Sequence, residues 1–347
     1  MPVTLNDIAR KAGLSITTVS RVLNKKAKEY RINRETERLV LKTAREMNYR
    51  PNQLARSLRL KKSHTIGLVV PDISNPFFAT IIRSVQTVAH TLGYSVVVRG
   101  TDEDIALEIE HVQLLHSKGV DGLIVMPVGQ RFSHLETLHR SGVPMVIADR
   151  CSDELRTAAV SVDNSSGAYE AVEHLILSGH RRIAIIQGLP DTWTARGRLD
   201  GYRAAFGHYG IPIDDALIVG EDFRQQAGYV ETKKLLAMEQ RPTALFTTSD
   251  LITLGALQAI DEEKLSIPGD ISLVAFDDLD GVTNFRCPIT AIAQPKEIIG
   301  ETAVSLLVDQ IRGRLQGPPR RIVLRPKLIS RESVRRLVPP ETVLAAS

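Results

Sequence analysis

From Thr65 onward, ten short apolar runs rich in Val and Ile alternate with amphipathic helical stretches, and glycine marks the helix ends at Gly93, Gly119, Gly142, Gly179 and Gly210. The strands read TIGLVV, SVVVR, GLIVM, MVIA, AVSV, RIAII, ALIVG, ALFTT, ISLVAF and TAIAQ. Each is nearly continuous in apolar residues, as strands covered by helices on both faces are, so the pattern predicts parallel α/β layers. About ten strands exceed one ordinary sheet. Two doubly wound lobes joined by several crossings divide them, leaving a cleft at the strand ends where ligands of open α/β sheets bind. The first crossing falls near Asp163-Asn164.

The stretch before Thr65 follows a different pattern. Leu5, Ile8, Ala9 and Ala12 recur at helical spacing, Gly13 permits a tight turn, and Ser15 caps a second helix with Val19, Val22 and Leu23 inward. This is a helix-turn-helix pattern. Ile16, Thr17, Ser20, Arg21 and Asn24 face away from the packed side, within reach of base edges in a major groove, and Arg21 is the leading reader of guanine or phosphate. Any small helical pair has polar outward residues, so the motif alone does not separate a DNA reader from an ordinary helical hairpin. Asn33 caps a third helix carrying Leu39, Val40, Thr43, Ala44 and Met47 inward. Pro51 then starts a helix of about two turns through Leu58, too short to be stable in water without a partner or DNA. The bland alternative for that segment is a plain linker.

Charge sharpens the choice. Residues 1–62 hold sixteen Lys and Arg against five acids, a net +11, whereas the remainder holds 28 against 35, a net −7. A small cationic module lowers its free energy beside phosphates by releasing counterions, and an acidic body is repelled by the same duplex.

With 347 residues and 43% apolar content, the chain is long enough for two or three domains. No apolar run reaches the roughly 20 residues of a membrane span, and Met1-Pro2-Val3-Thr4 lacks the regions of a signal peptide, so the expected location is the cytoplasm. Cys151 and Cys287 lack the spacing of a metal or redox motif. The nine histidines include no HExxH, and Gly-x-Ser-x-Gly, the P-loop and GxGxxG are absent, so nothing favours an enzyme. Asp277-Asp278-Leu279-Asp280-Gly281 has a calcium-loop look, but Pro288 and Ile289 stand where the twelfth-position acid is needed. No metal or cofactor is expected.

The segments TLNDIARKAGLSITTVSRVLN, NYRPNQLARSL, PDISNPFF, GLIVMP, DNSSGAYEAVEHLILSGHRRIAII, TARGRLDGY and AFDD together resemble the LacI/GalR family of bacterial transcription regulators, over almost the whole chain. The resemblance implies an all-α helix-turn-helix N-terminal domain, a hinge helix, and an α/β two-lobed core like that of periplasmic binding proteins, which also dimerises. Carried over by position, it implies that Ser15, Ile16, Thr17, Thr18, Ser20, Arg21 and Asn24 meet DNA, that Asn52 and Ala55 face the minor groove, and that Leu58 wedges into it. The segment Lys25 to Ile32 is longer than in the commonest family pattern, so phosphate contacts there do not transfer. The implied effector positions are Phe77, Phe78, Asp149, Asp163, Arg198, Phe223, Ser249 and Asp277, with Trp193 and Arg196 on the same loop. Carboxylates accept from vicinal hydroxyls, a guanidinium donates to ring oxygens, and an aromatic face covers a pyranose, so the set suits a sugar. Asp163 is equally readable as a helix cap, and Trp193 reads more readily as packing than as a stacking platform. Arg150 and Arg196 are available cations should the ligand be phosphorylated.

These readings divide the chain into a DNA-binding domain at 1–50, a hinge at 51–62, a core at 63–340 and a tail at 341–347. Within the core, lobe 1 takes about 63–163 and 293–323, and lobe 2 about 164–292 and 324–340. The expected protein is a sequence-specific repressor of carbohydrate-utilisation genes. It binds a pseudo-palindromic double-stranded operator as a homodimer, with a tetramer as the alternative, and its affinity is switched by a small sugar-like effector. The competing readings are a solute-binding protein without regulatory DNA binding and a purine-type regulator that needs a corepressor. Inducer and corepressor are not separated by these residues, and release of DNA is the expected sign.

Overall fold

The computed structural model describes residues 3–49, 62–129, 131–152, 155–279, 287–315 and 317–337. The chain divides into two compact units, Met1–Ser63 and His64–Ser347. Asn52, Ala55 and Leu58, and with them the expected hinge helix, lie outside the described residues, as does the tail.

The first unit is three helices: α1 (Leu5–Ala12), α2 (Ile16–Leu23) and α3 (Arg34–Glu46). Thr4 and Asp7 close a capping box at the start of α1, satisfying two otherwise orphaned backbone donors. Gly13 ends α1 at φ 65°, a left-handed turn that a Cβ would strain. Ser15 and Asn33 cap α2 and α3, accepting from Thr18 N at 3.1 Å and Thr36 N at 2.7 Å. Ile8, Ala9, Val19, Val22, Val40 and Ala44 form the core. Leu39 is an exception to the inward set expected for α3: it is 44% exposed. The buried stripe runs through Val40, Thr43 and Ala44 towards half-buried Met47, and Leu39 sits one helical step outside it.

The second unit contains two six-stranded sheets. The first is built from β1 (Thr65–Val70), β2 (Ser95–Gly100), β3 (Gly122–Val125), β4 (Met145–Ala148), β5 (Ala158–Val162) and β11 (Arg321–Leu324), in the order β11-β5-β4-β3-β1-β2, all parallel. The second contains β6 (Ile183–Ile186), β7 (Ile218–Val219), β8 (Ala244–Thr247), β9 (Ser272–Phe276), β10 (Thr290–Ala293) and β12 (Lys327–Ile329). Its order is β12-β10-β9-β8-β6-β7, and only β12 runs antiparallel. Helices α4 (Pro76–Thr91), α5 (Ile105–Ser117), α6 (Ser133–Arg140) and α11 (Lys296–Ile311) serve the first sheet, and α7 (Asn164–Leu177), α8 (Trp193–His208), α9 (Gln225–Leu236) and α10 (Asp250–Glu262) the second. The chain passes between sheets three times: after Val162, between Ala293 and Lys296, and between Leu324 and Lys327. Three crossings tie two lobes together while leaving their strand ends face to face. Among the described residues, no helix is long and apolar enough to cross a membrane.

β11 and β12 are absent from the ten apolar runs. Both are edge strands, and Arg321, Arg325, Pro326 and Lys327 break up the apolar signal while Val323 stays exposed.

Helices α7 and α8 pack so closely that a Cβ at Gly201 would stand 2.2 Å from the Ser165 carbonyl oxygen and 2.8 Å from the Ala168 Cβ. Gly201→Val therefore forces backbone apart and costs about 1–3 kcal/mol. Urea denaturation followed by Trp193 fluorescence checks this, because Trp193 is the sole tryptophan; an unshifted midpoint would show that the two helices separate freely.

Candidate functional site

The facing strand ends enclose a small cavity of about 30 Å³, lined from both lobes. Lobe 1 contributes Asn75, Phe77 and Phe78 from the start of α4, and Asp149 and Arg150 directly after β4. Lobe 2 contributes Thr194 and Arg198 from α8, Phe223, Ser249 and Asp250 at the start of α10, and Asp277 after β9, while Gln294 follows β10. Asp149 and Asp277 adopt left-handed backbones at φ 64° and 82°. Such strain in non-glycine residues persists only where neighbours over-determine it, and it concentrates at functional sites. Here Asp149 N donates to the Val160 carbonyl at 2.9 Å and Asp277 N to that of Ile292 at 3.0 Å.

Both buried guanidiniums are held by the protein's own groups. Arg150 grips Glu103 through Nη1 at 2.5 Å and Nη2 at 2.7 Å, donates to the Val128 carbonyl at 3.0 Å, and lies over the Phe223 ring at 4.7 Å. Burial opposes its charge, but Glu103 and Asp149 more than compensate and raise its pKa above the ordinary value. Arg198 donates from Nε to Asn164 Oδ1 at 2.8 Å and from Nη1 to the Thr248 carbonyl, and its guanidinium lies 3.9 Å from the Phe276 ring centre. Burial lowers its pKa against the pull of Asp277 and Asp149.

The carboxylates are less well served. Burial pushes Asp149 up to about 6 in spite of Arg150 and Arg198. Burial and then Asp277 push Asp250 up to about 6, although Leu251 N at 2.7 Å and Asn75 Nδ2 at 3.4 Å donate to it. Asp277 is raised by burial against Arg198 and against Gln294, whose Nε2 donates to it at 2.6 Å. Two buried oxygens lining this cavity, Thr194 Oγ1 and Gln294 Oε1, have no hydrogen-bond partner among the described residues. The cavity thus offers unmet acceptor capacity beside aromatic faces. Gly188 makes room for one of those faces: a Cβ there would fall 2.0 Å from the Phe223 ring.

Of the effector positions singled out in the sequence, Phe77, Phe78, Asp149, Arg198, Phe223, Ser249 and Asp277 meet in this cavity, and Asp163, Trp193 and Arg196 do not. Asp163 caps α7, accepting from Ser166 N at 2.9 Å. Asp163, Trp193 and Arg196 instead line a separate cavity of about 340 Å³ with Gly197 and Asp200. Helical spacing explains the split: Trp193, Arg196, Gly197 and Asp200 share one face of α8, while Thr194 and Arg198 share another. Trp193 packs against the lobe 1 cluster containing Cys151 and Leu155, and Arg196 is exposed. Asn75, Thr194, Asp250 and Gln294 line the cavity without having been singled out, and Arg150 lines it in an ion pair rather than as an available cation. The signal for Arg150, Asp250 and Gln294 was their place just beyond the ends of β4, β8 and β10.

In the first unit, Ser15 and Thr17 are exposed, Ile16 is 50% exposed, and Ser20, Arg21 and Asn24 are half-buried along α2. Thr18 turns back to the cap, its hydroxyl 2.9 Å from Ser15 Oγ, and Asn24 Nδ2 donates to the Ser20 carbonyl at 2.7 Å. Arg21 stacks on Tyr30, 3.8 Å from the ring centre.

Two family models match the chain: bacterial regulatory proteins of the lacI family over residues 4–52, and a periplasmic binding protein-like domain over residues 172–334. The chain is 32% identical over 336 residues to the HTH-type transcriptional repressor PurR of Photobacterium profundum, covering 96% of this chain and 99% of the relative. Among solved structures, a Lac repressor dimer bound to operator and the anti-inducer ONPF superposes with a TM-score of 0.85 at 28% identity, covering 96% of this chain and 100% of that one. A complex of the transcriptional regulator CelR with cellobiose gives 0.73 at 30% identity, covering 95% and 99%.

Proposed function

The chain belongs to the lacI family of bacterial regulatory proteins and is a DNA-binding transcriptional regulator, not an enzyme; from that membership we propose that it represses carbohydrate-utilisation genes under the control of an uncharged, hydroxyl-rich effector. The DNA-facing residues in this reading are Ser15, Ile16, Thr17, Thr18, Ser20, Arg21 and Asn24, with Asn52, Ala55 and Leu58 from the hinge. The protein works in the cytoplasm as a homodimer on a pseudo-palindromic operator, and it needs no cofactor besides the effector.

The observation that carries the effector class is the imbalance inside the cavity. Arg150 directs its guanidinium to Glu103 and the Val128 carbonyl, and Arg198 gives Nε and Nη1 to Asn164 and Thr248, whereas Asp149, Thr194 and Gln294 keep acceptor capacity. A polyol supplies the missing donors, and Phe223 and Phe78 offer faces to its apolar side. A phosphate ester adds negative charge beside three carboxylates, and Arg196, the cation otherwise available to it, lies on another cavity. The CelR relative is described in complex with cellobiose, which is of this chemical class.

A cavity of about 30 Å³ holds little more than a water or two, so a sugar must displace the lobes or Phe77 and Phe223 to enter. That displacement is the step through which effector binding releases DNA, since a ligand shifts an equilibrium only by binding two arrangements unequally. The test uses full-length protein and a duplex selected from a random library. Neutral mono- and disaccharides and nucleosides are titrated against their phosphate esters while DNA affinity is followed. A neutral compound is expected to change affinity on the order of tenfold; a response confined to phosphate esters would overturn the effector class, and a tightening of DNA binding would favour the corepressor reading.

A further inference from the structure

We propose that Tyr30, in the loop between α2 and α3, positions Arg21 for reading a base pair and so helps set operator preference. The proposal rests on Arg21 being a base reader. Tyr30 is 43% exposed, yet its ring is covered on one face by the Arg21 guanidinium at 3.8 Å. Among the described residues, Arg21 forms no ion pair, so the ring is what orders its head.

The loop is built to hold the ring there. Lys26 N donates to the Arg21 carbonyl at 2.9 Å, Tyr30 N to the Lys26 carbonyl at 3.1 Å, and Ile32 N to the Ala27 carbonyl at 2.8 Å. Ala27 is buried in the three-helix core and Ile32 packs against it, pinning both sides of Tyr30. Lys25 and Arg31 take left-handed backbones at φ 60° and 51°, closing the turn at either end. Lys26 and Glu29 add an ion pair at 3.3 Å across it.

Stacking occupies the face of a guanidinium and leaves its in-plane N–H fork free. That fork is what pairs with the O6 and N7 acceptors of guanine in a major groove, the commonest specific contact to DNA. An arginine already held flat loses less side-chain freedom when it pairs, so Tyr30 raises affinity only for duplexes that Arg21 reads. A phosphate contact from the Tyr30 hydroxyl, by contrast, would act on all sequences alike.

The experiment uses the full chain and a duplex selected from a random library, together with every single-base-pair variant of it. Arg21→Ala, Tyr30→Phe, Tyr30→Leu and the double variant Arg21→Ala with Tyr30→Leu are compared, each checked for folding by thermal melting. Arg21→Ala is expected to lose about tenfold on the selected duplex and to flatten the preference at one base pair. Tyr30→Leu, which keeps bulk but no π face, should lose about 2- to 5-fold with flattening at that same base pair. Tyr30→Phe should behave as the unaltered chain, and Tyr30→Leu should have no further effect once Arg21 is gone. Unchanged preference in Arg21→Ala removes the base-reading role and the proposal with it. Altered preference in Arg21→Ala beside normal preference in Tyr30→Leu overturns the proposal alone, and so does a uniform loss in Tyr30→Leu that persists without Arg21.

Discussion

Arg198→Met is expected to lower the unfolding free energy of the core by about 3 to 5 kcal/mol and to silence the effector response, while leaving DNA binding in place. Methionine matches the length of the arginine stem and can still cover the Phe276 ring, so the loss does not come from a void. It comes from charge and hydrogen bonds. Arg198 is 3% exposed and is one of two arginines that offset the burial of Asp149, as well as the principal offset for Asp277. Its removal leaves those carboxylates with less compensation and strips donors from Asn164 Oδ1 and the Thr248 carbonyl. Adding Asp277→Asn to Arg198→Met should recover part of the lost stability, because the stranded charge is removed with its partner. Urea denaturation of both variants followed by Trp193 fluorescence gives the measurement. The DNA-reading helices belong to a separate compact unit, so a selected duplex should bind as before. Equal stability of the single variant and the unaltered chain would mean that the cleft carboxylates find their compensation elsewhere.

The sequence revealed the framework more readily than the side-chain directions. The ten apolar runs carry strands, most of them covered on both faces, whereas β11 and β12, each at one edge of its sheet and interrupted by Arg325 and Pro326, escape the pattern. Caps at Ser15, Asn33 and Asp163 were legible because a short polar side chain ahead of an amphipathic stretch has one obvious use. The cleft was harder. Asp149 and Arg150 are adjacent, and on a regular strand they would point to opposite faces; the left-handed backbone of Asp149 brings both to the cavity, and nothing in the residue type announces it. Trp193 and Arg196 are candidates in the sequence because they share a loop with Arg198, although packing is the readier reading of Trp193. Thr194 is the one that faces the cavity, and the choice depends on where α8 begins, which Thr192 sets by capping it. Tyr30 lay in a loop noticed for its length, with no sign that its ring returns to Arg21.

Effector affinity is expected to fall by up to about 100-fold between pH 7.5 and pH 5. Asp149 and Asp250 each titrate near 6 in the ligand-free protein, pushed there by burial. A hydroxyl donates best to an ionised carboxylate, so the binding-competent form is the deprotonated one. At pH 5 each group is mostly protonated, and every carboxylate that must be recharged costs about a factor of ten in affinity. Stability runs the opposite way. Because the folded pKa values lie above the ordinary 3.8, the folded core holds these protons more tightly than the unfolded chain does. The resulting stabilisation is complete below about pH 4 and is lost as pH rises through about 6. At pH 7.5 the protein without effector therefore carries buried carboxylate charge that Arg150, Arg198 and the neighbouring donors only partly offset, and the thermal shift produced by a saturating neutral effector should be larger there than at pH 5. Asp149→Asn should remove about one factor of ten from the affinity profile and leave the rest. Binding that is flat from pH 5 to 7.5 would mean that the effector's hydroxyls do not rely on these two carboxylates, and the polyol reading of the cavity would fall with it.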